Sequence, residues 1–178
     1  SLIVVGEDFR FGRGRAGGLA DLREVTGELE AFPLLEVGGE AVKSSRIRAL
    51  LAGGDVEEAA RLLGAPYLVR GAVRAGQKRG REVGFPTANV EVPAGKAVPV
   101  GVFAVTASVA GQAYGGMANA GPRPSFPEEP PALEVHLLDF SGDLYGAVLD
   151  VRFVRHLRDQ RRFAGLGDLR DQLLLDAE

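Results

Sequence analysis

Gly101-Val102-Phe103-Ala104-Val105-Thr106-Ala107-Ser108-Val109 decides the fold: an apolar and β-branched run that reads as a strand, followed by Ala110-Gly111. Tyr67 to Arg74 precedes it as a strand candidate, and Gln112 to Met117, Ala132 to Phe140 and Leu144 to Val154 follow it. Gly, Pro, Asn and Asp turns separate them, and Ser141-Gly142-Asp143 is expected to be a tight hairpin connection. Five candidates in a row with no helix between them predict a closed barrel or a sandwich. The chain is expected to end in a helix from about Asp168, whose Leu169 and Leu173 repeat at i, i+4 and would pack on the barrel.

The first third has another texture. Leu2-Ile3-Val4-Val5 reads as a buried strand of a parallel sheet. A glycine-punctuated loop from Gly6 to Arg15 follows, then a helix over Gly18 to Thr26 and a short strand over Phe32 to Val37. Ser44-Ser45 opens a helix that Gly53-Gly54 stops; Asp55, with Glu58 three residues on, opens another that ends at Gly64. Alternating strand and helix predicts an α/β layer, with the domain boundary at Gly64-Ala65-Pro66. A domain that opens on a buried strand is expected to begin earlier, so this chain reads as a fragment.

The 178 residues are 46% hydrophobic and 25% charged, within the range of a globular protein of one domain or two small ones. With no cysteine, disulfides, thiolate zinc sites and a cysteine nucleophile are excluded; two histidines, His136 and His156, argue against a multi-histidine metal site. The net charge of −3 argues against a nucleic-acid partner. No apolar run approaches a membrane span and no leader is legible, so a cytoplasmic location is expected.

Five stretches could carry chemistry. Gly76-Gln77-Lys78-Arg79-Gly80-Arg81 sets basic side chains between glycines, a pattern for cradling phosphate or an ordinary solvated turn. It leads to Gly84-Phe85-Pro86-Thr87-Ala88-Asn89, where Thr87 and Asn89 point the same way in extended chain. Their oxygens suit Mg²⁺ when a nucleotide supplies the charge, or simply bond loop backbone. In Leu133-Glu134-Val135-His136-Leu137, the apolar residues alternate on one face and Glu134 and His136 occupy the other. A carboxylate on a rigid strand is a candidate general base or an exposed strand residue. Leu157-Arg158 to Phe163 offers a cation and a ring for a planar ligand, and Asn119 to Phe126 reads as a rigid loop. Ser44, Ser45, Arg46 and Arg48 converge at a helix start where phosphate binds well.

Taken together, Gly84 to Asn89, Gly101-Val102-Phe103, Asn119 to Phe126, Leu133 to His136, Asp143-Leu144-Tyr145-Gly146 and Leu157 to Phe163 resemble the riboflavin kinase family in order and spacing. Upstream, Gly6, Asp8 and Phe9 with Ser44, Ser45, Arg46 and Arg48 resemble the FMN adenylyltransferase domain of bacterial bifunctional riboflavin kinase/FAD synthetases. The resemblance implies an α/β fragment of a nucleotidyltransferase domain over residues 1–64. It implies a six-stranded Greek-key barrel with a C-terminal helix over residues 65–178. It also implies transfer of the ATP γ-phosphoryl to riboflavin, giving FMN.

By motif match, Thr87 and Asn89 would meet Mg²⁺ and nucleotide phosphates, and Gly76, Lys78, Gly80 and Arg81 would cover ATP. Glu134 would take the hydroxyl proton, and Arg158 and Phe163 would lie on the flavin side. Lys43 stands where that family usually has serine, and the paired-histidine motif of adenylyl transfer is absent from these residues. The expectation is FMN formation without FAD formation. The rival from another class is a flavin- or nucleotide-binding barrel without turnover.

Overall fold

The computed structural model describes residues 2–75, 84–122, 131–161 and 163–177. It divides into two compact units, residues 1–44 and 45–178.

In the first unit, β1 (Leu2–Gly6) pairs in parallel with β2 (Glu28–Phe32), register Leu2↔Glu28 to Gly6↔Phe32, and α1 (Leu19–Val25) connects them. The Asp21 carboxylate accepts the Gly18 N–H at 2.7 Å and so caps α1. A small ladder of β3 (Glu36–Val37) and β4 (Glu40–Ala41) completes the unit. Two expectations are corrected. The second strand is centred on Glu28–Phe32 rather than Phe32 to Val37, because Glu28-Leu29-Glu30-Ala31 alternates and Pro33 has no N–H to continue a ladder. The opening strand is not buried: Leu2 is 53% and Val4 56% exposed, since β1 has one partner among the described residues.

In the second unit, α2 (Ser44–Ala52) and α3 (Val56–Leu63) precede the barrel. Asp55 Oδ1 accepts the Glu58 N–H at 3.0 Å at the start of α3, and Gly64, at φ 73°, ends it in the left-handed conformation. Val56, Ala59 and Leu62 form the buried stripe of α3. Leu51, Val56 and Ala59 belong to the same apolar core as the barrel. Main-chain links reinforce that packing: Val100 donates to the Leu51 carbonyl and His156 N–H to the Glu57 carboxylate, both at 3.3 Å.

The barrel comprises β5 (Leu68–Arg74), β6 (Ala88–Val90), β7 (Gly101–Val109), β8 (Gln112–Gly121), β9 (Ala132–Leu137) and β10 (Val148–Arg158). Its closed order is β10-β5-β6-β9-β8-β7, antiparallel throughout. β10 returns beside β7 after the β7-β8-β9 meander, which is a Greek key. A barrel, not a sandwich, is therefore formed. Ser141-Gly142-Asp143 is not a hairpin: β9 lies between β6 and β8, whereas β10 lies between β5 and β7. Residues 138–147 cross the barrel end, anchored where Gly146 donates to Val73 and Val73 donates to Ala147. Likewise Asn119 to Gly121 is strand, not loop.

Inside, Phe103 and Phe153 are fully buried and meet edge-to-face at 5.2 Å. Val69, Leu133, Val135, Leu149 and Val151 surround them. α4 (Leu166–Asp176) closes the chain, its Leu169 and Leu173 half-buried.

Candidate functional site

Because side chains alternate across a strand, register alone determines which outward groups are neighbours. Arg74 is paired with Asn89, Asn89 with Glu134, Glu134 with Asn119, Asn119 with Val102, and Val102 with Arg158. One row thus crosses all six strands, with Glu134 between two carboxamides. Its flanking residues Leu133 and Val135 are 2% and 1% exposed, so core packing holds the strand that carries the carboxylate.

Thr87, exposed, lies two residues before Asn89 at the entry to β6. The approach to β6 is pinned. His136 Nδ1 donates to the Pro86 carbonyl at 2.9 Å, and the Phe85 ring meets the imidazole at 5.0 Å and 60°. A carbonyl only accepts, so the proton sits on Nδ1. Buried Met117 is the register partner of His136. The Thr87 hydroxyl and the Asn89 carboxamide are hard oxygen donors suited to Mg²⁺. Among the described residues no group of three or more His, Cys, Asp or Glu is placed to hold a metal, so a cation here would draw most of its counter-charge from a substrate's phosphates. Gly76, Lys78, Gly80 and Arg81 lie outside the described residues, as do Arg123 to Phe126.

At the other end of the row, Arg158 is already engaged. Its Nε and Nη2 donate to the Asp176 carboxylate at 2.7–3.0 Å, and that carboxylate is only 4% exposed. The Phe163 ring carries the Arg158 guanidinium 5.7 Å from its centroid and that of Arg161 at 4.8 Å. Arg161 also bonds Gln172 of α4. Arg161, Phe163, Ala164, Asp168, Asp171, Gln172 and Leu175 line a cavity of about 430 Å³. A ring, the Arg161 guanidinium and polar tips on α4 can hold a planar polar ligand. Arg158 is thereby a buttress for α4, and Arg161 is the cation on the cavity wall.

In the first unit, Gly6 ends β1, Asp8 pairs with Lys43 at 3.4 Å, and Phe9 stacks on Phe11 at 6.0 Å. Ser44 closes that unit. Ser45, Arg46 and Arg48 lie on α2 in the second, where Arg46 meets Glu58 at 3.3 Å. The Glu58 carboxyl is held below its ordinary value, chiefly by its hydrogen bond from Arg61.

Sequence reading put Asn119 and Gln160 inside motif stretches without giving either a role, and did not name Asp176. Outward parity along β8 would have found Asn119 had the strand been extended past Met117. Asp176 looks like any acid near a chain end until Arg158 is seen against it.

Comparison with known proteins gives this geometry a family. The family model for riboflavin kinase (Flavokinase) matches residues 63–178. The bifunctional riboflavin kinase/FMN adenylyltransferases of Pseudomonas fluorescens and Bacillus subtilis are 41% and 38% identical, each over 98% of this chain and 58% of the relative. A crystal structure described as a macrolide-efflux protein from Streptococcus pneumoniae superposes with a TM-score of 0.81 at 36% identity, over 99% of this chain and 58% of that one. The six-stranded antiparallel barrel with its terminal helix is thus of flavokinase type. The chain belongs to the riboflavin kinase family. It spans about 58% of the length of the curated relatives it matches.

Proposed function

We propose that this chain is an ATP:riboflavin 5′-phosphotransferase, making FMN from riboflavin and Mg-ATP, with residues 65–178 as the kinase domain. Residues 1–64 are, on this reading, the C-terminal portion of an FMN adenylyltransferase domain, whose own activity belongs to a longer parent. The carrying observation is the register pairing of Asn89 with Glu134, two residues beyond Thr87. It puts a proton acceptor beside oxygens that suit a phosphate-bound cation.

In the reaction, Glu134 accepts the proton of the ribityl 5′-hydroxyl as its oxygen bonds to the γ-phosphorus. The bond from the γ-phosphorus to the β,γ-bridging oxygen breaks, and ADP leaves. Thr87 and Asn89 would hold Mg²⁺, which neutralises charge on the transferring group. The 76–81 segment, with Lys78 and Arg81, would cover the phosphates, and Phe163 with Arg161 would flank the flavin ring. Positioning and charge neutralisation supply most of the rate in such transfers.

The test incubates the chain with riboflavin, ATP and Mg²⁺ and separates flavins by chromatography. FMN without FAD is the expected outcome. FMN followed by FAD would mean that adenylyl transfer needs no paired histidines. Bound riboflavin with no FMN would favour the binding-module reading. Among the described residues, no helix is long and apolar enough to cross a membrane.

A further inference from the structure

Gln172 sits between two groups that can each be met in only one way. Its Nε2 donates to Asp176 Oδ1 at 2.6 Å, one helical turn further along α4. Its Oε1 accepts from Arg161 Nη2. A carboxylate paired with a guanidinium only accepts, and a guanidinium only donates. The amide is thereby locked in one orientation. Turned over, it would set oxygen against carboxylate and NH₂ against guanidinium.

The far end of this chain of bonds is anchored in the barrel. Arg158 Nε and Nη2 hold the Asp176 carboxylate at 2.7–3.0 Å, and Arg158 belongs to β10, in register with Val102 of β7. Hydrogen bonds thus run from a barrel strand to the cavity wall through Arg158, Asp176, Gln172 and Arg161.

Helix periodicity explains why Gln172 reaches both ends. Asp168, Asp171, Gln172 and Leu175 share the face of α4 that lines the cavity. Leu169, Leu173 and Asp176 share the neighbouring stripe, and each is partly buried. Gln172 borders both. At the cavity, the Arg161 guanidinium lies 4.8 Å from the centroid of the Phe163 ring. Among the described residues, Gln172 is the hydrogen-bond partner that holds its edge.

We infer that Gln172 is a positioning residue for flavin binding. It extends the rigidity of the buried Arg158–Asp176 pair to Arg161, whose guanidinium then donates to acceptor oxygens on the rim of a planar ligand. A free arginine would lose its rotamer freedom on binding; here that loss is already made on folding. The inference rests on the kinase reading for the identity of the ligand and on the hydrogen bonds for the relay.

Gln172→Met removes both bonds while keeping side-chain length and helix propensity. Riboflavin affinity, read by flavin fluorescence, should fall about 5–10-fold, and the KM for Mg-ATP should stay within two-fold. Arg161→Met should weaken riboflavin binding at least as much. The double variant should bind no more weakly than Arg161→Met alone, because Gln172 acts through Arg161. In the ligand-free chain, the NMR order parameter of the Arg161 Nε–H should lie above ~0.6 and drop below it in Gln172→Met.

Riboflavin affinity within two-fold in Gln172→Met overturns the inference, as do losses that multiply in the double variant. Riboflavin bound without FMN formed removes the kinase reading and leaves these comparisons intact. No riboflavin binding by the unsubstituted chain removes both that reading and the flavin assignment of the cavity. If Gln172→Met does not fold, the order parameter of the unsubstituted chain decides: a value below ~0.6 overturns the relay.

Discussion

Asn89 and Glu134 stand directly opposite each other in the β6–β9 ladder. A carboxamide and a carboxylate are thereby held side by side by main-chain hydrogen bonds, not by loop conformation. Replacing Glu134 with Gln keeps shape and polarity and removes the proton acceptor. Turnover should fall by roughly 10²–10⁴, with riboflavin affinity within about two-fold. Rapid-quench kinetics beside a flavin fluorescence titration reads both. An unaltered turnover would remove Glu134 from the reaction.

His136 acts one step away. Its bond to the Pro86 carbonyl fixes the chain just ahead of Thr87 and Asn89. His136→Phe keeps a ring against Phe85 and loses the bond, worth about 1 kcal/mol. The KM for Mg-ATP should rise about five-fold, with the KM for riboflavin little changed. Equal changes in both would mean that the clamp steadies the whole barrel mouth.

Asp176 ties the end of α4 to β10 through Arg158. Asp176→Ala leaves a mostly buried guanidinium without its counter-ion and should cost about 3 kcal/mol in urea unfolding. Replacing both partners, Arg158→Met with Asp176→Leu, should recover most of that loss. A double variant as unstable as the single one would show that the pair contributes more than its own neutralisation.

Asp150 is held below the usual carboxylate range, first by its hydrogen bond from Arg70 and also by that residue's charge. A depressed native value means stability that is complete above the unfolded value of about 3.9 and is lost as pH falls through the native one. Asp150→Asn should therefore flatten the decline of stability below pH ~4 while leaving the slope near neutrality unchanged. Arg70 is 68% exposed, so added salt should shrink the difference between the two proteins. Urea midpoints between pH 2.5 and 7 test this.

Limited proteolysis should separate the two units. Leu2, Val4, Val25, Phe32 and Leu35 in the first are all more than half exposed, whereas Leu51, Val56 and Ala59 join the barrel core. The surviving fragment should start near Ser45, not near Ala65. Survival of the first unit instead would contradict this ordering.

How much was readable from sequence follows from length and parity. The nine residues of β7 carry enough alternation to be found with both ends correct. β6 is three residues long and carries no periodic signal, although its Asn89 was singled out by motif. The outward placement of Glu134 followed from its apolar neighbours. What sequence could not supply was the partner of each strand: the 141–143 turn looks local, yet it serves strands on opposite sides of the barrel. Likewise α2 and α3 share the texture of the first third, but their buried faces belong to the second unit.

The circumferential row has a consequence for how such a protein can change over time. Its groups hang from five successive ladders around the six strands, so no single loop sets their spacing. Loops at the rim are free to diverge in length and chemistry, trading one ligand for another. A one-residue slip in any seam would turn its strand's groups inward at once. Variation is thereby channelled toward ligand preference, while the arrangement of the outward groups is inherited as a unit.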